Sequence, residues 1–123
     1  MNGGTASAGT IYRATSDLAF STRIREAAEQ AGRVTVPVRS IERARELFKS
    51  EACGLVIVDL NTQAFDPFEL IQTAQQQAPA LKLAAFFSHV DVQLYDRAQA
   101  LGLREVFPRS HFVKILPELV LAV

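Results

Sequence analysis

The segment Gly54–Asn61 reads GLVIVDLN, an apolar run that ends in a carboxylate, Asp59. A carboxylate in that place is either a structural terminator or a reactive group held out at a sheet edge. Its company decides its chemistry. Thr15-Ser16-Asp17 offers two hydroxyls and one acid, and Asn61 offers an amide. Ser88-His89 sets a hydroxyl beside an imidazole, and Arg109-Ser110 sets a permanent cation beside a hydroxyl. A guanidinium can grip a carboxylate directly, often through two parallel bonds. Asp59 is therefore either held out as a reactive group or closed by Arg109. No arrangement of acid and nucleophile around Ser88 and His89 supports hydrolysis. His89 reads as an exposed loop residue, and His111, early in the last helix, as a surface one.

These residues act together only if the chain brings their segments side by side. Gly9–Thr15 predicts a strand. Ser16 or Asp17 then caps a helix with apolar positions at Leu18, Phe20, Ile24, Ala27, Ala28 and Ala31, closed by Gly32. Arg33–Val38 is β-branched and alternating, and Pro37 confines this strand to an edge or makes it a strand end. Ser40–Ser50 predicts a helix with Ile41, Ala44, Leu47 and Phe48 on one face. Leu55–Asp59 reads as a strand buried on both faces. Asp66 as cap with Pro67 at the first helical position opens the third helix. Leu81–Phe87 is the fourth strand, and Asp91–Gly102 the fourth helix, which Ser88 also fits as a cap. Arg104–Pro108 is the fifth strand. Ser110–Val123 is the last helix, where Pro117 either kinks it or begins a second part.

Strand and helix thus alternate five times. The expected fold is α/β, a (βα)5 doubly wound five-stranded parallel sheet of flavodoxin type with helices on both faces. Val56–Val58 and Leu83–Phe87 mark the central strands. In such sheets function gathers at the carboxyl ends of the strands, where all the residues named above fall.

The remaining composition narrows the classes. A chain of 123 residues, 49% apolar, fits one domain with a real core. Residues 1–8 read as a flexible leader and 9–123 as the domain. Thirteen basic residues balance thirteen acidic ones, which argues against a nucleic-acid binder. No stretch approaches the ~20 apolar residues of a membrane span. The segment MNGGTASAG lacks the basic and apolar regions of a secretory signal, so a cytoplasmic location is expected. The single cysteine, Cys53, excludes an internal disulfide and reads as a small packing residue. No glycine occurs in ATSDLAFS after the first strand, against a Gly-rich phosphate loop.

From about Thr10 onward, this organisation and these positions resemble the CheY-like receiver domain of response regulators. The resemblance implies that Asp59 stands where that family accepts a phosphoryl group. It implies a backbone carbonyl from Asn61 for Mg²⁺, a phosphoryl contact from Ser88, and Arg109 in place of the family's lysine. Ser110 falls where the family usually has proline, and Val106 where an aromatic reports the pocket state. The family's acid pair is reduced here to Asp17 at most, and aligning it needs a one-residue shift. A metal site of Asp17, Asp59 and Asn61 is therefore implied to be weak or lost, and no other cofactor is implied. The pattern is that of an atypical receiver, a pseudo-receiver. The function implied is a non-enzymatic signal-transduction module that binds other proteins independently of phosphorylation. The alternative is a true phosphoacceptor, phosphorylated on Asp59 by a histidine kinase and slowly self-dephosphorylating. Implied partners are signalling proteins, with neither nucleic acid nor membrane. Leu116, Leu119, Val120, Leu121 and Val123 cover more than one face of the last helix, which predicts a second buried side, in a homodimer or against a partner.

Overall fold

The computed structural model describes residues 9–49, 53–88 and 90–123. The expected leader 1–8, the end of the second helix at Ser50, and His89 lie outside the described residues. The elements are β1 (Thr10–Ala14), α1 (Leu18–Gln30), β2 (Thr35–Pro37), α2 (Ile41–Phe48) and β3 (Gly54–Asp59). They continue as α3 (Pro67–Gln77), β4 (Lys82–Phe87), α4 (Val92–Ala100), β5 (Glu105–Pro108) and α5 (Arg109–Leu121). One sheet holds the strands in the order β2-β1-β3-β4-β5, and every pairing is parallel. The expected doubly wound (βα)5 architecture is the one observed.

The apolar runs of β3 and β4 follow from this topology. Both strands are interior, so neither face meets water. Val56 and Val58 join Phe48, Leu70, Ile71 and Ala98 in a core beneath α2, α3 and α4. Leu55 and Ile57 point the other way, toward Ile24, Phe112, Leu116 and Val120 of α1 and α5. Phe86 stacks between Phe20 and Phe112, each ring centroid 4.7 Å from it. β2 is an edge strand that ends in Pro37, where a missing donor costs little.

Several elements differ from expectation for identifiable reasons. β2 is shorter than Arg33–Val38, because Arg33 turns to α5 and donates to the carbonyls of Val120 and Leu121, at 3.3 and 3.2 Å. It thereby satisfies orphan carbonyls at that helix end. α5 starts one residue early, with Pro108 at its N-cap position, so Arg109 sits in the first helical turn. Pro117 lies inside an uninterrupted α5. Cys53 is exposed rather than packed, since its place is the loop before β3. Tyr95 of α4 is half-buried against Phe87. The apolar surplus of α5 is mostly internal: Leu116 and Val120 are buried, and Leu119 and Val123 pack on the same core. Leu121 alone of that set is widely exposed, at 61%.

The entry to β3 sets a tight constraint. Gly54 has φ +132°, and a Cβ there would collide with the backbone nitrogen and oxygen of Thr10 on the neighbouring strand. Gly54→Ala is expected to destabilise the fold by about 1–3 kcal/mol. Gly32→Ala, at φ +71° with open space around it, should cost only about 1 kcal/mol. Denaturant midpoints of the two variants check the difference.

Candidate functional site

The carboxyl ends of β1, β3 and β4 converge on Asp59. Its side chain is buried, the residue being 2% exposed, at the end of the central strand. An isolated buried carboxylate is costly, so its partners matter. Thr15, just past β1, donates its hydroxyl to Asp59 Oδ2 at 2.8 Å. The same Thr15 oxygen accepts from the backbone N–H of Asp17 at 3.0 Å. With its single proton aimed at Asp59 and a lone pair taken by Asp17, this hydroxyl has a fixed direction. Asp59 Oδ1 accepts the backbone N–H of Asn61 at 2.9 Å, an Asx-type turn that follows from placing Asp two residues before that amide.

Asp17 caps α1, its Oδ1 accepting from Phe20 N at 3.1 Å. Its other oxygen, Oδ2, lies 3.9 Å from one terminal nitrogen of Arg109, which is also 4.0 Å from Asp59 Oδ1. Arg109 therefore stands between two carboxylates as a shared cation, at ion-pair range of both. This is a looser contact than the two-bond grip that a guanidinium can offer. Its CZ atom lies 5.1 Å from the centroid of the Phe20 ring, and its Nε is buried without a hydrogen-bond partner.

Asn61 does more than continue the turn. Its amide nitrogen donates to Asp91 Oδ2, and its amide oxygen accepts the backbone N–H of Ser88, both at 2.8 Å. One side chain thus ties the loop after β3 to the loop after β4. Ser88 joins the site through its backbone and does not cap α4, whose N-cap position is Asp91. Ser110 and His111 are exposed on the first turn of α5. Val106 is buried, and its neighbour Phe107 packs its ring against His111, at 5.4 Å between centroids.

Sequence reading missed three participants. Thr62 is buried and hydrogen-bonded to Ser16 through their hydroxyls at 3.0 Å. Asp91, read only as the first residue of the fourth helix, receives the Asn61 amide. Phe20 reads correctly as core but also carries the Arg109 cation on its ring face. Only the position of Asp91 at a helix start carried any prior signal.

For a metal, the donor set is poor. Among the described residues no three His, Cys, Asp or Glu side chains gather. The two acids that do converge face a guanidinium, so the charge a dication would neutralise is already shared with Arg109.

No protein-family model and no curated protein matches the sequence. Solved structures do match in shape. A response regulator from Thermotoga maritima aligns with TM-score 0.74 at 18% identity, over 94% of this chain and 98% of its own. The NtrX receiver domain from Brucella abortus aligns with TM-score 0.75 at 16% identity, over 92% and 98%. This chain has the receiver fold. A response regulator from Burkholderia pseudomallei, solved with a phosphorylated aspartate, calcium and citrate, aligns with TM-score 0.76 at 13% identity. There the alignment covers 91% of this chain but only 66% of the Burkholderia protein. Asp59, Asn61, Ser88 and Arg109 lie together beyond the carboxyl ends of the strands, Asp59 contacting Asn61 N and Arg109, and Asn61 contacting Ser88 N. No described helix is long and apolar enough to cross a membrane.

Thr15→Val keeps the shape of the side chain but leaves Asp59 Oδ2 without its donor. Such a buried unsatisfied acceptor costs about 1–3 kcal/mol. Thr15→Ser should retain most of the native stability. Urea unfolding of both variants checks the assignment.

Proposed function

We propose that this receiver-fold domain is a cytoplasmic signalling module, a pseudo-receiver, that works by protein contact without phosphorylation of Asp59. The observation that carries this reading is the occupied state of Asp59. One oxygen accepts from Thr15, the other from Asn61 N, and Arg109 stands 4.0 Å away. A phosphoryl acceptor has to present a free oxygen in line with its donor and tolerate added negative charge, normally with a metal beside it. Here the Thr15 hydroxyl would have to leave, and a dication would have to enter beside a guanidinium. Like charges at that range repel. The fixed carboxylate suits a pocket held in one state.

Exposed apolar residues support contact as the output. Leu18 is 83% exposed at the start of α1, and Val90 and Val92 are exposed at the start of α4. These helix starts frame the carboxyl ends of the strands, where a signalling protein such as a histidine kinase would dock. Self-association through α5 is narrower in reach, since it rests on Leu121. Sedimentation of the wild type and Leu121→Glu tests it, and a monomer in both ends it.

Incubation with Mg²⁺ and acetyl phosphate, followed by intact mass, tests the main reading. The expected result is no phosphoryl increment. An increment that vanishes in Asp59→Asn overturns it and establishes the phosphoacceptor alternative. The double variant Ser16→Asp/Arg109→Lys restores an acid and loosens the shared cation. It should bind Mg²⁺ on the order of tenfold more tightly than the native chain, by calorimetric titration.

A further inference from the structure

Three arginines, Arg13, Arg25 and Arg39, gather where β1, β2 and α1 meet. None forms an ion pair among the described residues, where the pairs involve Arg43, Arg45 and Arg109. Arg13 leaves β1 toward α1 and donates one terminal N–H to the Ser21 hydroxyl. Its Nε is buried with no hydrogen-bond partner. Burial, followed by the fields of Arg25 and Arg39, pushes the Arg13 guanidinium below its usual pKa. Uncompensated positive charge is thus built into this corner.

A cavity of about 220 Å³ opens beside it, lined by Ser16, Ser21, Arg39, Leu18, Pro37 and Phe65 among others, none of them acidic. The acid nearest in sequence, Asp17, is turned to Phe20 N and Arg109. Ser21 already accepts from Arg13, so its own O–H remains to donate. Ser16 has one contact, with Thr62, and is otherwise exposed. A guanidinium and two hydroxyls around a pocket without acids form a donor set for an oxyanion. The volume lies below the roughly 300–1,000 Å³ of pockets for drug-sized ligands, which suits a ligand smaller than a nucleotide. The apolar walls of Leu18, Pro37 and Phe65 suit a short hydrocarbon body.

We propose that this pocket binds a small oxyanion, a phosphate or carboxylate group on a compact apolar body, through Arg39, Ser16 and Ser21, with Arg13 behind Ser21 adding positive charge. The cavity adjoins the Asp59 network through Thr15, which lines it and donates to Asp59, but its test stands apart from the mass measurement above. Inorganic phosphate and benzoate are titrated separately into the isotopically labelled full chain, with sodium chloride holding ionic strength constant. Amide shifts of Ser16, Ser21 and Arg39 and the Nε–H signal of Arg13 are followed. Saturable shifts confined to these residues are expected, weakened roughly tenfold in Arg39→Gln by loss of a charged donor. Arg39 is exposed, so this variant should fold, which its amide spectrum confirms. Arg43→Gln, which removes an exposed pair elsewhere on α2, should bind as the native chain does. Tighter benzoate assigns a carboxylate ligand, and tighter phosphate a phosphate ligand. Shifts that never saturate, or binding undiminished in Arg39→Gln, overturn the proposal.

Discussion

A carboxylate at the end of the central strand of a buried parallel sheet has to be compensated, and that requirement organises this end of the molecule. Asp59 draws Thr15 from the loop after β1, the Asn61 amide from the loop after β3, and Arg109 from the first turn of α5. Each partner is itself held. Thr15 is oriented by Asp17 N, Arg109 rests over Phe20, and Asn61 reaches on to Ser88 and Asp91. Because the partners come from distant parts of the chain, compensation of one charge also fixes the arrangement of the loops.

The same network joins the polar end of the sheet to its apolar layer. Phe20 lies under the Arg109 guanidinium and stacks on Phe86, which stacks in turn on Phe112 of α5. The ring that steadies the cation is therefore part of the packing that holds α1 and α5 to the sheet. A close-packed interior resists small shifts, so the cation inherits the rigidity of the core beneath it.

The fold was legible because its signals were local and mutually consistent. The β3 and β4 runs, the Asp66-Pro67 start and the edge position of Pro37 each specify an element or its place from a few residues. The gathering of Asp59, Asn61, Ser88 and Arg109 followed from topology alone, since parallel strands put all their carboxyl ends on one side. The roles of individual atoms were not legible. The side chain of Asn61 spans two loops, and Asp91 meets it across thirty positions of sequence, a pairing that no local pattern encodes. Arg33 read as strand because its neighbours are β-branched, while its partner carbonyls lie at the far end of the chain. Cys53 read as packing from its residue type, yet sits one residue outside the strand that is packed.

The Asn61 bridge has a dynamic side. Asp91 holds the N-cap position of α4 but makes no side-chain capping bond there, and one of its oxygens accepts from Asn61 instead. The first turn of α4 thus lacks the usual restraint on helix fraying. Val92, exposed on that turn, adds no burial to hold it. Local opening of a protein begins where such restraints are fewest. Fraying that carried Asp91 away would free one arm of Asn61 while the Thr15–Asp59 bond stayed intact. The network would then loosen from the α4 side first, with Asp59 still held by Thr15.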